Sequence, residues 1–196
     1  MDPNKSLEKI IVSKTRLSLL RLFFARPKES FYIREAVRLT NEEINSVRRE
    51  LENLRTAGVL LKEQRGNRLF YFIDQNCLFY QNLLTLVAKT EGIGGKIIKE
   101  RSRLGEIKFV VFSGHFLRWE SNKTEVDFWI VGRVVLPEVG KLVVEEEKKR
   151  GREINYAVMD LEEFRLRKRN RDPFLFNVLL NNPVVIFGDE QELAKV

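Results

Sequence analysis

Apolar residues recur at helical spacing from Leu7 to Phe24, through Leu7, Ile10, Ile11, Leu17, Leu20 and Phe24, and Pro27 stops the run. This predicts a first helix. A shorter stretch, Phe31–Leu39, places Phe31, Ile33, Ala36 and Val37 against polar Arg34, Glu35 and Arg38, and predicts a second. Thr40-Asn41-Glu42-Glu43 has capping-box spacing, so a third helix is expected to begin at Thr40. Its buried stripe would be Ile44, Val47, Leu51 and Leu54, and Gly58 fits the left-handed residue that ends a helix.

After Gly58 the period changes from helical to extended. Val59–Gln64 and Leu69–Ile73 flank the turn Arg65-Gly66-Asn67-Arg68, which predicts a hairpin. Residues 77–103 read as one or two helices around Leu78, Phe79, Leu83, Leu84, Leu86 and Val87, with a joint at Gly92-Ile93-Gly94-Gly95. Beyond them, apolar runs at Ile107–Phe112, Val126–Val131 and Ile154–Val158 alternate with helical patterns at Glu138–Arg150 and Leu161–Leu180. Strands alternating with helices imply a mixed sheet with helices on it, so the expected class is α+β. Residues 1–75 form the expected first domain, 76–105 a helical connector and 106–196 the second domain, with the boundary near residue 105.

Charge sharpens this division. Residues 1–75 carry 15 Lys+Arg against 10 Asp+Glu, residues 76–105 carry 5 against 2, and residues 106–196 carry 15 against 16, so the net +7 lies in the front half. Such an excess suits a polyanion partner, since neutralising phosphates releases counterions. No apolar run reaches the roughly 20 residues that span a bilayer, and no signal peptide opens the chain, so a cytoplasmic protein without a membrane partner is expected. Cys77 and His115, each alone of its type, offer neither a disulfide nor a thiolate zinc site.

Opposite the apolar stripe of the third helix lie Asn41, Glu42, Asn45, Ser46, Arg48, Arg49 and Glu52. Arg can fork onto guanine O6 and N7, and Asn onto adenine N6 and N7, which makes Asn41, Asn45, Ser46, Arg48 and Arg49 candidate base readers. Arg65, Asn67 and Arg68 at the hairpin turn are candidate contacts to a phosphate or the minor groove, with Lys14, Arg16, Arg34 and Arg38 as second-rank phosphate candidates. Three helices and a hairpin within about 75 residues, with this helix face and basic turn, resemble the winged helix-turn-helix of ArsR/MarR-type repressors over roughly residues 7–75. The resemblance implies double-stranded DNA as partner and a homodimer. Leu78–Val87 would be either the dimerisation element or the helix that packs the two domains together.

The second half has its own resemblance. Val110-Val111-Phe112-Ser113-Gly114, then His115–Lys123, then Thr124–Gly132 follow the order of the minimal nucleotidyltransferase domain of the DNA polymerase beta superfamily. That resemblance places Ser113-Gly114 at the nucleotide-cradling Gly-Ser turn, and Glu125 and Asp127 at the metal-holding Asp-x-Asp pair. The strand Arg152–Val158 corresponds to the one bearing the third carboxylate, and Asn155 falls at that position. Inverted Ser-Gly, Glu for the first Asp and Asn for the third acid imply a degenerate site, since two-metal transfer needs all three acids. The expected function is therefore a sequence-specific transcriptional regulator without a cofactor, its second domain taking a ligand, a nucleotide among the candidates, or a partner. The alternative is a nucleotidyltransferase, dependent on a divalent metal such as Mg, directed to nucleic acid by its winged helix.

Overall fold

The computed structural model describes residues 2–120 and 126–195 of the chain. They form two compact units, 1–91 and 92–196. The division falls between Glu91 and Gly92, so the stretch read as one connector, 76–105, contributes helices to both units.

In the first unit α1 (Pro3–Ile10) and α2 (Lys14–Ala25) replace the single helix expected over Leu7–Phe24. Ser13 is the cause of the break: its hydroxyl caps α2 by accepting from the Arg16 amide at 3.2 Å, and the backbone at Ile11 and Ser13 is extended. The next segment begins as a strand, β1 (Phe31–Tyr32), before α3 (Ile33–Thr40). Phe31 and Tyr32 pair antiparallel with Tyr71 and Phe70, and these tertiary hydrogen bonds override the local helical pattern.

A further correction concerns the start of the third helix. Thr40 closes α3, donating its hydroxyl to the Ala36 carbonyl at 2.7 Å, and Asn41 follows in the left-handed region with φ 55°. The helix α4 (Ile44–Thr56) is capped by Glu43, whose carboxylate accepts from the Asn45 and Ser46 amides at 2.9 and 2.8 Å. Those two amides hold the Glu43 carboxyl below the ordinary carboxylate range. Glu42 turns inward instead, accepting from Thr15 and Ser18 of α2 at 3.2 and 2.9 Å. Val47, Leu51 and Leu54 are buried as expected, whereas Ile44 is 38% exposed. Glu50 completes the buried face: Ser13 and Arg16 hydrogen-bond its carboxylate at 3.1 and 2.8 Å.

The hairpin forms where the sequence places it, as β2 (Leu60–Arg65) and β3 (Arg68–Ile73) around Gly66-Asn67. Gly58 (φ 75°) and Gly66 (φ 57°) take the positive φ values that their turns require. The three-stranded sheet runs β1-β3-β2, and α5 (Tyr80–Thr90) packs on α2 and α1.

The second unit opens with α6 (Gly92–Lys99) and α7 (Arg101–Leu104), so Gly92–Gly95 enter a helix instead of forming a joint. Then follow β4 (Gly105–Phe112), α8 (Gly114–Leu117), β5 (Phe128–Val134), α9 (Leu136–Arg150), β6 (Tyr156–Met159), α10 (Leu161–Arg169), α11 (Pro173–Leu180), β7 (Val184–Phe187) and α12 (Glu190–Lys195). The sheet runs β6-β5-β4-β7, parallel between β5 and β6 and antiparallel elsewhere, so it is mixed as expected.

Phe109, Val111, Trp129 and Val131 point to one face, packing with Phe164, Leu175 and Val178. Val110, Phe112, Phe128 and Ile130 are buried on the other. Burial on both faces explains the unbroken apolar runs in β4 and β5. The helical pattern over Leu161–Leu180 resolves into two helices because Asp172 caps α11, accepting from Phe174 N at 2.9 Å with Pro173 in the first turn. Among the described residues no helix is long and apolar enough to cross a membrane.

Candidate nucleic-acid interface

The N-terminal half of α4 and the turn between β2 and β3 frame a cleft of about 490 Å³ in the first unit. Arg34, Arg48, Asn67 and Arg68 supply its polar lining, and Tyr32, Ile33, Ile44 and Leu69 its apolar walls. Ile44 is therefore a wall of this cleft and not a core residue. Three guanidinium groups from three different elements face one concavity. Asn45, Arg48 and Arg49 are exposed on α4, and Ser46 is half-buried behind them. Among the described residues neither Arg48 nor Arg49 closes an ion pair, so both guanidinium groups can take an outside acceptor.

At the hairpin turn the arginines are held by aromatic rings. Arg68 lies over Tyr32 at 4.6 Å and Arg65 over Phe70 at 5.2 Å, while Tyr32 and Phe70 meet edge to face at 5.6 Å. Stacking leaves the outward edge of each guanidinium available and restricts its rotamers. Arg65 also reaches Ser30 Oγ at 2.9 Å and Glu63 at 2.7 Å. Asn67 is exposed beside them.

The remaining sequence candidates separate from this group. Asn41 sits in the turn before α4, outside the helix expected to carry it. Of the second-rank cations, Arg34 joins the cleft. Lys14 pairs with Glu42 at 3.6 Å and Arg16 with Glu50 at 2.8 Å, while Arg38 lies 3.9 Å from Glu35.

Tyr32 and Phe70, which hold the two turn arginines, are not legible as functional residues in the sequence. Phe70 lies close to the turn in the chain, but the β1 pairing that brings Tyr32 there is tertiary.

In the second unit, Glu125 lies outside the described residues. Asp127 is 6% exposed, and Arg152 donates to both its carboxylate oxygens, at 2.7 and 3.0 Å, while the Asn155 amide donates at 2.9 Å. A divalent ion at this carboxylate would have to displace the guanidinium. Ser113 is buried and caps α8, accepting from Phe116 N at 3.1 Å. The Gly114 amide donates to the Asn181 carbonyl at 3.0 Å, and a Cβ on Gly114 would stand 2.4 Å from that oxygen. The backbone of Asn181 therefore fills the space beside the turn that a phosphate cradle would leave open. The Arg150 side chain is largely buried nearby, its guanidinium 3.9 Å from the Phe116 ring centre and bonded to Glu146 at 2.9 Å. Burial pushes its pKa down, and the Glu146 charge opposes this. Among the described residues no cluster of three or more His, Cys, Asp or Glu side chains is placed to hold a metal ion.

No family model matches this chain, and neither curated proteins nor solved structures provide a match. The functional reading therefore rests on geometry and charge.

Proposed function

We propose that this protein is a sequence-specific regulator of transcription that binds double-stranded DNA through its first unit, a winged helix-turn-helix. In this reading α4 is the recognition helix, the β2–β3 hairpin is the wing, and Asn45, Ser46, Arg48 and Arg49 face base edges in the major groove. The observation that carries it is the convergence of Arg34, Arg48 and Arg68 on the single cleft between helix and hairpin. Three cations around one exposed concavity suit a polyanionic backbone better than a small neutral ligand. The acids of the same face are already engaged: Glu43 caps the helix, Glu42 bonds to α2, and Glu52 binds Arg55 and Lys62. The basic excess of the front half acts in the same direction.

We assign the dimer contact to the apolar surface at the start of α5, where Leu78 and Phe79 are 85% and 53% exposed. The second unit is assigned a nucleotidyltransferase-like fold that serves ligand or partner binding instead of metal-dependent transfer, because Asp127 is held by Arg152.

Selection from a pool of random duplex DNA, at low and at near-physiological salt, tests the reading. An enriched motif, in two half-sites about one helical turn apart for a dimer, is the expected result. Unselective binding that salt abolishes, or no binding, would overturn it.

A further inference from the structure

Glu52 lies one helical turn after Arg48, on the face of α4 that carries the exposed arginines. An acid there would repel phosphate if its charge were free. Its carboxylate instead accepts from the Tyr71 hydroxyl at 2.7 Å, from Arg55 Nε at 2.7 Å and from Lys62 Nζ at 3.1 Å. Tyr71 is 1% exposed in the middle of β3, and Lys62 is its register partner on β2. A single side chain of the helix is thereby bonded to both strands of the hairpin. Two cations balance its charge, and the donor Tyr71 is buried although the Glu52 side chain is 37% exposed.

We propose that Glu52 and Tyr71 are positioning residues for DNA binding, a strut that fixes the hairpin tip, with Arg65 and Arg68, at a set distance from Arg48 and Arg49 on α4. The inference rests on the winged-helix reading and adds to it how helix and wing are kept in register. A hairpin is marginally stable by itself, so its tip needs an anchor if two arginines are to meet a backbone in one geometry. A hydrogen bond to an ionised group is the stronger kind.

The test is equilibrium binding of the full chain to its selected duplex at one salt concentration. Four proteins are compared: the native chain, Tyr71→Phe, Arg65→Ala with Arg68→Ala, and the triple variant. Tyr71→Phe should weaken binding about tenfold in the native background, the size expected for loss of a charged hydrogen bond. It should have almost no effect once the wing arginines are gone, giving a coupling as large as the whole loss.

The same loss in both backgrounds, or none, would overturn the strut. Glu52→Gln keeps the shape and loses the charge; it should also weaken binding, and tighter binding would show that Glu52 merely repels phosphate. If the native chain binds no duplex, the DNA reading itself fails. The strut is then judged by amide hydrogen exchange over residues 62–71, which Tyr71→Phe should accelerate and which would overturn the strut if unchanged.

Discussion

Arg152 grips Asp127 with two nitrogens, Nη2 on Oδ1 at 2.7 Å and Nη1 on Oδ2 at 3.0 Å, so the approaches to two parallel strands are joined by a fork of charge-assisted bonds. The Asp127 amide donates to the Asn155 carbonyl at 2.7 Å and the Asn155 amide returns a bond to the carboxylate at 2.9 Å. The same acid that the resemblance assigns to metal binding thus closes the β5–β6 junction.

Removing the guanidinium leaves a buried carboxylate without its ion-pair partner, held by the Asn155 amide. Arg152→Ala should therefore cost ~3 kcal/mol, the low end for a broken buried pair because Arg152 itself is 28% exposed. Urea unfolding at neutral pH measures it. The native chain should melt at the same temperature with and without millimolar Mg²⁺; stabilisation by Mg²⁺ that Asp127→Asn removes would restore the metal-dependent alternative.

The two arginine pairs should separate by role. Arg48→Ala with Arg49→Ala is expected to abolish discrimination between the selected duplex and a scrambled one. Arg65→Ala with Arg68→Ala should weaken both duplexes alike and lower the slope of log K against log salt by about 2, one for each phosphate that is no longer neutralised. Titrations at several salt concentrations distinguish the patterns.

Acid should loosen the helix–hairpin junction before it unfolds the chain. The Tyr71 hydroxyl foremost, then Arg55, lowers the Glu52 carboxyl from 4.5 to about 2. A depressed folded-state value means the stabilisation is complete above 4.5 and is lost as pH falls from there through about 2. The gap in melting temperature between the native chain and Glu52→Gln should be constant near neutrality and narrow across that window.

Two glycine substitutions should have opposite signs. Gly132 has φ 143° and a Cβ there would stand 2.2 Å from the Glu106 carbonyl oxygen, whereas a Cβ on Gly140, inside α9, meets nothing within 4 Å. Gly132→Ala should destabilise by well over ~1 kcal/mol, and Gly140→Ala should stabilise by ~0.5–1 kcal/mol. Thermal denaturation of the two variants checks the signs.

Legibility follows the range of the interactions. The hairpin over residues 59–73 and the helix end at Gly58 are readable because each depends on neighbours in sequence: a period change and a glycine at positive φ. The start of α4 is misplaced by the same logic. Thr40 and Glu43 have capping-box spacing, but Thr40 continues α3 and Glu43 alone caps α4, a choice fixed by Glu42 bonding to α2. Likewise β7, with its short apolar run Val184–Phe187, is a strand because it finds the free edge of β4, and nothing local separates it from a buried helix turn.

An α+β chain, the elements with strong local periods, the basic front half and the arginine-rich face of one helix follow from the residues alone, because patterning and charge are properties of the residues themselves. Folding alone brings Arg34, Arg48 and Arg68 to one cleft, sets Tyr32 and Phe70 against the turn arginines, and gives Glu52 and Asp127 protein cations as partners. Which charge meets which depends on strand pairing and helix packing between residues far apart in sequence, and those arrangements form only when the core does.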